Sequence, residues 1–396
     1  MKKYYLTTLI ICLLVLLASS FVYHFWDEKQ VRDVIVVGFL SENDELTLST
    51  NNFMQTRLVL EREFQGRIEL KSLTNVQSDQ TKEGLEELVQ GGCDLIFTIT
   101  RSDVVKAFAA DYPDVQFCQL SNGVPANVKE GGNYHTFNAR SYEGHYVGGV
   151  VAGMKLREMI DSGVISADEA LIGYIGSYPT AEVISGFTAF FLGARSVAPE
   201  ALMRVRYVNA LSNFMLEKNN AKLLIDEGCV IIAQNTGTTG PAAACQDAAA
   251  KRDVYHVSYN GSSLDIAPAA SLVSVRPNWE PYMIGSIRAV MNEKPIEKFI
   301  SGVVHGNDIC GGFDLGWLEM MSLNQSVTAE GTEEKILEVI DAIKKGQVDV
   351  FRGEYVGVNP DNSRIIIDLS KGYTENNSSS KPTFHYILRD VITVEK

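Results

Sequence analysis

The 396-residue chain is 45% hydrophobic and 9% aromatic, enough to fill at least two ordinary cores, so extensive disorder is excluded and two domains are expected. Its formal net charge is -14 and no lysine- or arginine-rich run occurs, which argues against a nucleic-acid partner.

At the N-terminus, Lys2 and Lys3 precede an apolar run from Leu6 to Trp26. Such a run meets a membrane, either as a secretory signal cleaved near Ala18-Ser19-Ser20 or as an uncleaved anchor. Under both readings the basic residues stay cytoplasmic and the chain after about Asp27 is exported, to the periplasm or the outer face of the cytoplasmic membrane. Bulky Leu9-Ile10-Ile11 before Cys12 speak against lipidation. The exported part keeps Cys93, Cys118, Cys229, Cys245 and Cys310, an odd number without a CxxC pair. Scattered buried thiols are expected, with a Cys229–Cys245 bridge left open.

From Asp33 onward, short β-branched runs alternate with amphipathic stretches, the βα pattern of a parallel sheet. "DVIVVGFL" (33–40) leads into a helix over 54–64. "RIELKSL" from Arg67, "DLIFTIT" from Asp94 and "VQFCQL" from Val115 are further strands, with helices over 81–90 and 104–110. A second half repeats the unit: "ALIGYIGS" (170–177), a helix over 182–196, "RVRYVNA" from Arg204 and a helix over 214–227. "CVIIAQN", a helix after Pro241, "VYHVSYN" and "SLVSVRP" complete it. The continuous apolar runs suit strands covered by helices on both faces.

Between the halves, "RSYEGHYVGGVVAGMKLREM" (140–159) spaces Gly144, Gly148, Gly149, Ala152 and Gly153 as a helix packed closely on its neighbours, and it marks a first crossover. Residues 276–281 form a return crossover, after which the segment from Tyr282 and the helix over 333–345 rejoin the first half. The expected architecture is α/β, with two doubly wound parallel-sheet lobes joined by a hinge. The divisions are a signal peptide or anchor over 1–26, lobe 1 over 33–139 plus 282–353, lobe 2 over 140–281, and a C-terminal extension over 354–396. In its tail, "FHYILRDVITVEK" alternates like a strand.

In open parallel sheets ligands bind beyond the carboxyl ends of the strands, so two lobes make a cleft there. The loop from Gln234 to Gly240 occupies such a strand end, where glycines let the backbone approach a ligand and Asn235, Thr236, Thr238 and Thr239 supply hydrogen bonds. Pro241 suits the first turn of the following helix. No nucleophile elbow, zincin motif, phosphate loop, dinucleotide fingerprint or zinc spacing is present, and His135, His145, His256 and His305 stand apart in sequence. Catalysis, metal and cofactor are therefore not expected.

"HTFNARSYEGHYVGGVVAG", "IGYIGSYPTAEVISGFTAFFLGARSVAPEA", "LIDEGCVIIAQNTGTTGPA", "VYHVSYNGSSLDIAP" and "SVRPNWEPYMIGSIRAV" follow one another as in the basic membrane protein family of ABC-transporter substrate-binding proteins, which this chain resembles over about 33–353. The resemblance implies two lobes of the type I periplasmic-binding kind closing on a small ligand without catalysis, with a permease and an ATPase as partners. The branch it resembles is described as purine or nucleoside receptors. Carried over, the site comprises Thr98 and Thr100, Ser177 and Tyr178, Gln234, Asn235, Thr236 and Gly237. Asn260 and Ser262 stand where the family reads aspartates in G-x-D-x-D, and Trp279 matches an aromatic position suited to stacking on a base. In the first-lobe loop, "SENDELTLSTNNF", Ser49 or Thr50 takes the place of a family aromatic, with Asn51, Asn52 and Phe53 as substitutes. An alternative use of the same lobes is a membrane-tethered ligand sensor.

Overall fold

The structure is a computed structural model that describes residues 34–395. The expected signal or anchor segment, 1–26, lies outside the described residues. Two seven-stranded sheets form the lobes. The first contains β1 (Ile35–Leu40), β2 (Ile68–Leu73), β3 (Leu95–Thr98), β4 (Gln116–Leu120), β5 (Tyr134–Ala139), β11 (Val303–Val304) and β12 (Asp308–Gly311), in the order β11-β12-β5-β4-β3-β1-β2. Every pairing but β11 with β12 is parallel. The second contains β6 (Leu171–Gly176), β7 (Leu202–Tyr207), β8 (Ile231–Asn235), β9 (Tyr255–Tyr259), β10 (Ser271–Pro277), β13 (Leu318–Met321) and β17 (Ile392–Val394), in the order β13-β10-β9-β8-β6-β7-β17. Inner strands such as β3 and β8 are buried at every residue, because helices cover both sheet faces.

The helices are α1 (Leu48–Phe64), α2 (Thr81–Gln90), α3 (Val104–Asp111), α4 (Ser141–Asp161), α5 (Ala181–Arg195), α6 (Phe214–Asp226), α7 (Gly240–Ala249), α8 (Glu280–Met291) and α9 (Thr332–Lys344). Helix α1 begins six residues before its expected start, in a Ser/Thr/Asn-rich stretch of low helix propensity. Tertiary contacts override that propensity: Thr50, Asn52 and Phe53 are buried, and Leu48 N–H donates to Gly237 O at 2.9 Å across the lobes. Helices α4 and α5 meet backbone to backbone. A Cβ on Gly149 would lie 1.9 Å from Phe190 O, and one on Gly193 would lie 2.0 Å from Tyr146 O, so only glycine fits at either crossing.

The chain crosses between lobes three times, one more than expected: from β5 into α4, from β10 into α8, and from β12 into β13. Strand β13 and helix α9, expected in the first lobe, lie instead on the second, β13 antiparallel to β10 and α9 against α4. The first and third crossings are tied together by the buried Glu143 carboxylate, which accepts from Arg140 Nε at 2.6 Å and from Phe313 N–H at 3.0 Å.

Beyond α9, β14 (Val356–Val358), β15 (Ile366–Asp368) and β16 (Ile387–Leu388) make a small antiparallel sheet, and β17 extends the second sheet by pairing in parallel with β7. The intervening loop buries Glu375, Asn376, Ser380 and Phe384 and touches both lobes. Glu375 accepts from Ser185 Oγ of α5, while Ser380 donates its N–H to Asp308 of β12 at 2.6 Å and its hydroxyl to Ser121 at 2.8 Å. The five described cysteines are free and buried, with no bridge between Cys229 and Cys245.

Candidate functional site

The carboxyl ends of the strands of both sheets face one cleft. It encloses about 930 Å³ of empty space, open solvent included. From the first lobe come Glu42 and Asn43 after β1, Ser49 and Phe53 of α1, Arg101 after β3, Asn122 after β4, and Asn138 of β5. From the second come Ser177 after β6, Glu182 of α5, Asn235 to Gly237 after β8, and Tyr259 and Asn260 at the end of β9. Ser141, Pro277 and Trp279 close the hinge side.

The lobes touch across this space. Besides the Leu48–Gly237 bond, Asn122 Nδ2 donates to Glu182 Oε1 at 2.7 Å, and Asn52 Nδ2 donates to Pro277 O at 2.9 Å beside the second crossing. Asn122 is itself oriented by Asn138, whose Nδ2 donates to Asn122 Oδ1 at 2.5 Å. Burial pushes the Glu182 carboxyl above the ordinary range, and Arg101 partly opposes this.

The loop after β8 is built on a residue that the sequence reading did not single out. Glu217, fully buried on α6, accepts from Thr236 Oγ1 at 2.9 Å, Thr238 N–H at 3.1 Å and Thr238 Oγ1 at 2.6 Å. The glycines serve the same packing: a Cβ on Gly237 would lie 2.6 Å from Leu211 O, and one on Gly240 would lie 2.5 Å from Phe214 O. Close approach to the neighbouring loop and helix therefore requires glycine at both positions. Gln234 faces away from the cleft, donating to Thr238 O and accepting from His256 Nε2 at 2.9 Å. That bond places the neutral imidazole's proton on Nε2, leaves Nδ1 to accept from Ser263, and burial lowers the His256 pKa to about 3.

Of the residues named from sequence, Ser49, Phe53, Ser177, Asn235, Thr236, Gly237, Asn260 and Trp279 come together on the cleft wall. Asn260 adopts a left-handed backbone, φ 68°, which asparagine tolerates better than most residues. Asn235 is 8% exposed, and its Nδ2 has no hydrogen-bond partner among the described residues. Trp279 is 5% exposed and packs edge-on against Phe137 at 5.6 Å, so it serves the core as well as the cleft. The others lie elsewhere. Asn51 bonds outward to Glu45 O and Gln55, and Asn52 is taken up by Pro277. Thr98 and Thr100 are buried in strand-end turns, where their hydroxyls accept from Thr100 and Ser102 N–H groups. Ser262 caps Leu264 N–H, and Tyr178 is not on the cleft wall. Glu42, Arg101, Asn122, Asn138 and Glu182 were not anticipated. The signal available was position alone, since each lies in or just beyond the end of a strand whose neighbours were chosen.

Among the described residues no group of His, Cys, Asp and Glu is arranged to hold a metal ion, and no helix is long and apolar enough to cross a membrane. A purine-binding protein of Brucella abortus (strain 2308) is 29% identical over 303 residues, covering 76% of this chain and 77% of that protein. A Haloferax volcanii protein bearing the name of an ABC transporter glucose-binding protein is 27% identical over 280 residues, covering 70% of this chain and 64% of its own length. An ABC-transporter solute-binding protein of Aeropyrum pernix K1 has the same fold at 14% identity, with a TM-score of 0.62 over 79% of this chain and 92% of that one. The architecture is thus that of type I periplasmic solute-binding proteins. Residues 49–350 match the sequence profile of ABC transporter substrate-binding proteins of the PnrA-like kind, and the chain belongs to this Bmp family of extracytoplasmic, non-enzymatic proteins that bind small ligands and work with a permease and an ATPase.

Proposed function

We propose that this protein captures a purine base or nucleoside between its lobes by hinge closure and presents it to a membrane permease, without chemistry of its own. The observation that carries this reading is the cleft wall itself. Aromatic side chains, Phe53 of the first lobe, itself fully buried, and Trp279 at the second crossing, border it together with amides and hydroxyls. Aromatic faces supply area for a planar base, and amides supply both donors and acceptors for its edge. Closure follows from the same geometry, since a ligand touching Ser177, Asn235 and Phe53 at once favours the state in which the two lobes meet. The purine-binding relative supports the ligand class, and the glucose-binding name of the other relative sets the competitor.

Calorimetry of the exported part with adenine, guanosine and D-glucose tests it. Saturable one-to-one binding of adenine or guanosine, with D-glucose much weaker, is expected. Binding of D-glucose alone would overturn the purine assignment.

A further inference from the structure

The cleft carries two features that ordinary loop packing does not use. Glu182 spends one carboxylate oxygen, Oε1, on Asn122, and its Oε2 has no hydrogen bond among the described residues. Asn235, on the wall of the same lobe, keeps an unpartnered Nδ2 in a residue nine-tenths buried. The remaining charged groups lining the cleft are Glu42 and Arg101. Glu42 accepts from the Arg101 backbone N–H at 3.1 Å, and the two carboxylates, Glu42 and Glu182, outnumber the single guanidinium.

We propose that Glu182 Oε2 and Asn235 Nδ2 are the specificity-determining pair, accepting a hydrogen bond from an N–H or O–H of the ligand and donating one to a ligand acceptor, and that the cleft thereby selects an uncharged ligand over its phosphorylated form. This rests on the reading of the cleft as the ligand site. A charged acceptor makes a stronger hydrogen bond than a neutral one, so Glu182 favours hydroxyl- or amine-bearing ligands. The same charge, reinforced by Glu42, repels a phosphate monoester brought into a partly enclosed space. Burial already raises the Glu182 carboxyl above its usual range, and a bound donor returns some of the stabilisation lost with water.

A latch role for Glu182 makes different demands. Glutamine at this position still accepts from Asn122 through its carbonyl oxygen, whereas it offers a ligand no charge. Calorimetry with guanosine, guanosine 5′-monophosphate and D-glucose on the exported part, as wild type, Glu182→Gln and Asn235→Ala, separates the two, with melting temperatures as the folding check. The wild type should bind guanosine at least about tenfold more tightly than the monophosphate. Glu182→Gln should weaken guanosine by about tenfold or more, and Asn235→Ala by about fivefold.

Unchanged guanosine affinity in either variant overturns the proposal, as does a monophosphate that binds as well as the nucleoside. If only D-glucose binds, the purine assignment fails, and the same two variants decide the role of Glu182 on the sugar's hydroxyls. If the wild type binds none of the three, the pair has no ligand of this class and the proposal falls.

Discussion

Replacing Asn235 with alanine should make the unliganded protein no less stable while weakening its hold on the ligand. A buried polar group left without a partner costs about 1–3 kcal/mol, and Asn235 Nδ2 is such a group, in a residue 8% exposed on the cleft wall. Alanine removes that cost. The space it vacates opens to the cleft, so no sealed cavity forms and the usual penalty for truncating a core side chain is largely avoided. Ligand-free stability should therefore stay level or rise by about 1 kcal/mol. The ligand loses one neutral hydrogen bond worth about 1 kcal/mol, a roughly fivefold weaker affinity. Urea denaturation without ligand and calorimetry with guanosine measure the two halves. A variant destabilised by more than about 1 kcal/mol and undiminished in affinity would show that Asn235 is a structural residue satisfied within the fold, and the reasoning would fail.

Three further outcomes concern the scaffold. Gly149→Ala should destabilise by about 3 kcal/mol or more, since its Cβ would lie 1.9 Å from Phe190 O and only backbone movement relieves that contact; denaturation within about 1 kcal/mol of wild type would contradict it. His256 is held neutral with a pKa of about 3 against an ordinary 6.5, so below about pH 6.5 the unfolded chain binds a proton that the native one refuses, and stability falls as pH falls toward 3. Buried His145 acts in the same direction, so stability profiles of wild type and His256→Gln should diverge by up to about 1.4 kcal/mol per pH unit below 6, and parallel profiles would refute the assignment. Glu375 gathers Ser185 Oγ and the Thr383 and Phe384 N–H groups in the loop that bridges the lobes, and Glu375→Gln should cost about 1.5–3 kcal/mol and speed limited proteolysis within 375–384. Unchanged cleavage would remove the loop's claim to hold the lobes.

Local patterns in the sequence carried the lobes because each βα unit announces itself by an apolar run and a following amphipathic helix. What escaped was non-local. Strand β17 lies beside β7, nearly two hundred positions away in the chain, and no feature of "DVITVEK" encodes that partner. Helix α9 reads as a helix in isolation, yet which lobe it covers depends on the third crossing, where Glu143 meets Phe313 across the fold. In the cleft, period-two alternation explains much of the mixture. Asn235 reaches the wall while its neighbour Gln234 turns to His256, and Thr98 spends its hydroxyl on the Thr100 N–H although its strand ends at the site. Glu182 is a first-turn acid of its helix, where such residues are common. Only the facing lobe, with Asn122 and Arg101, gives it a different setting.

The central claim is capture by closure between the lobes, and small-angle scattering of the exported part with and without saturating guanosine tests it most directly. Leu48–Gly237 and Asn122–Glu182 join the lobes in this structure, and a ligand touching both lobes favours that arrangement, so the ligand-bound protein should be measurably more compact than the free one. Guanosine that binds while the two scattering curves coincide would contradict the account.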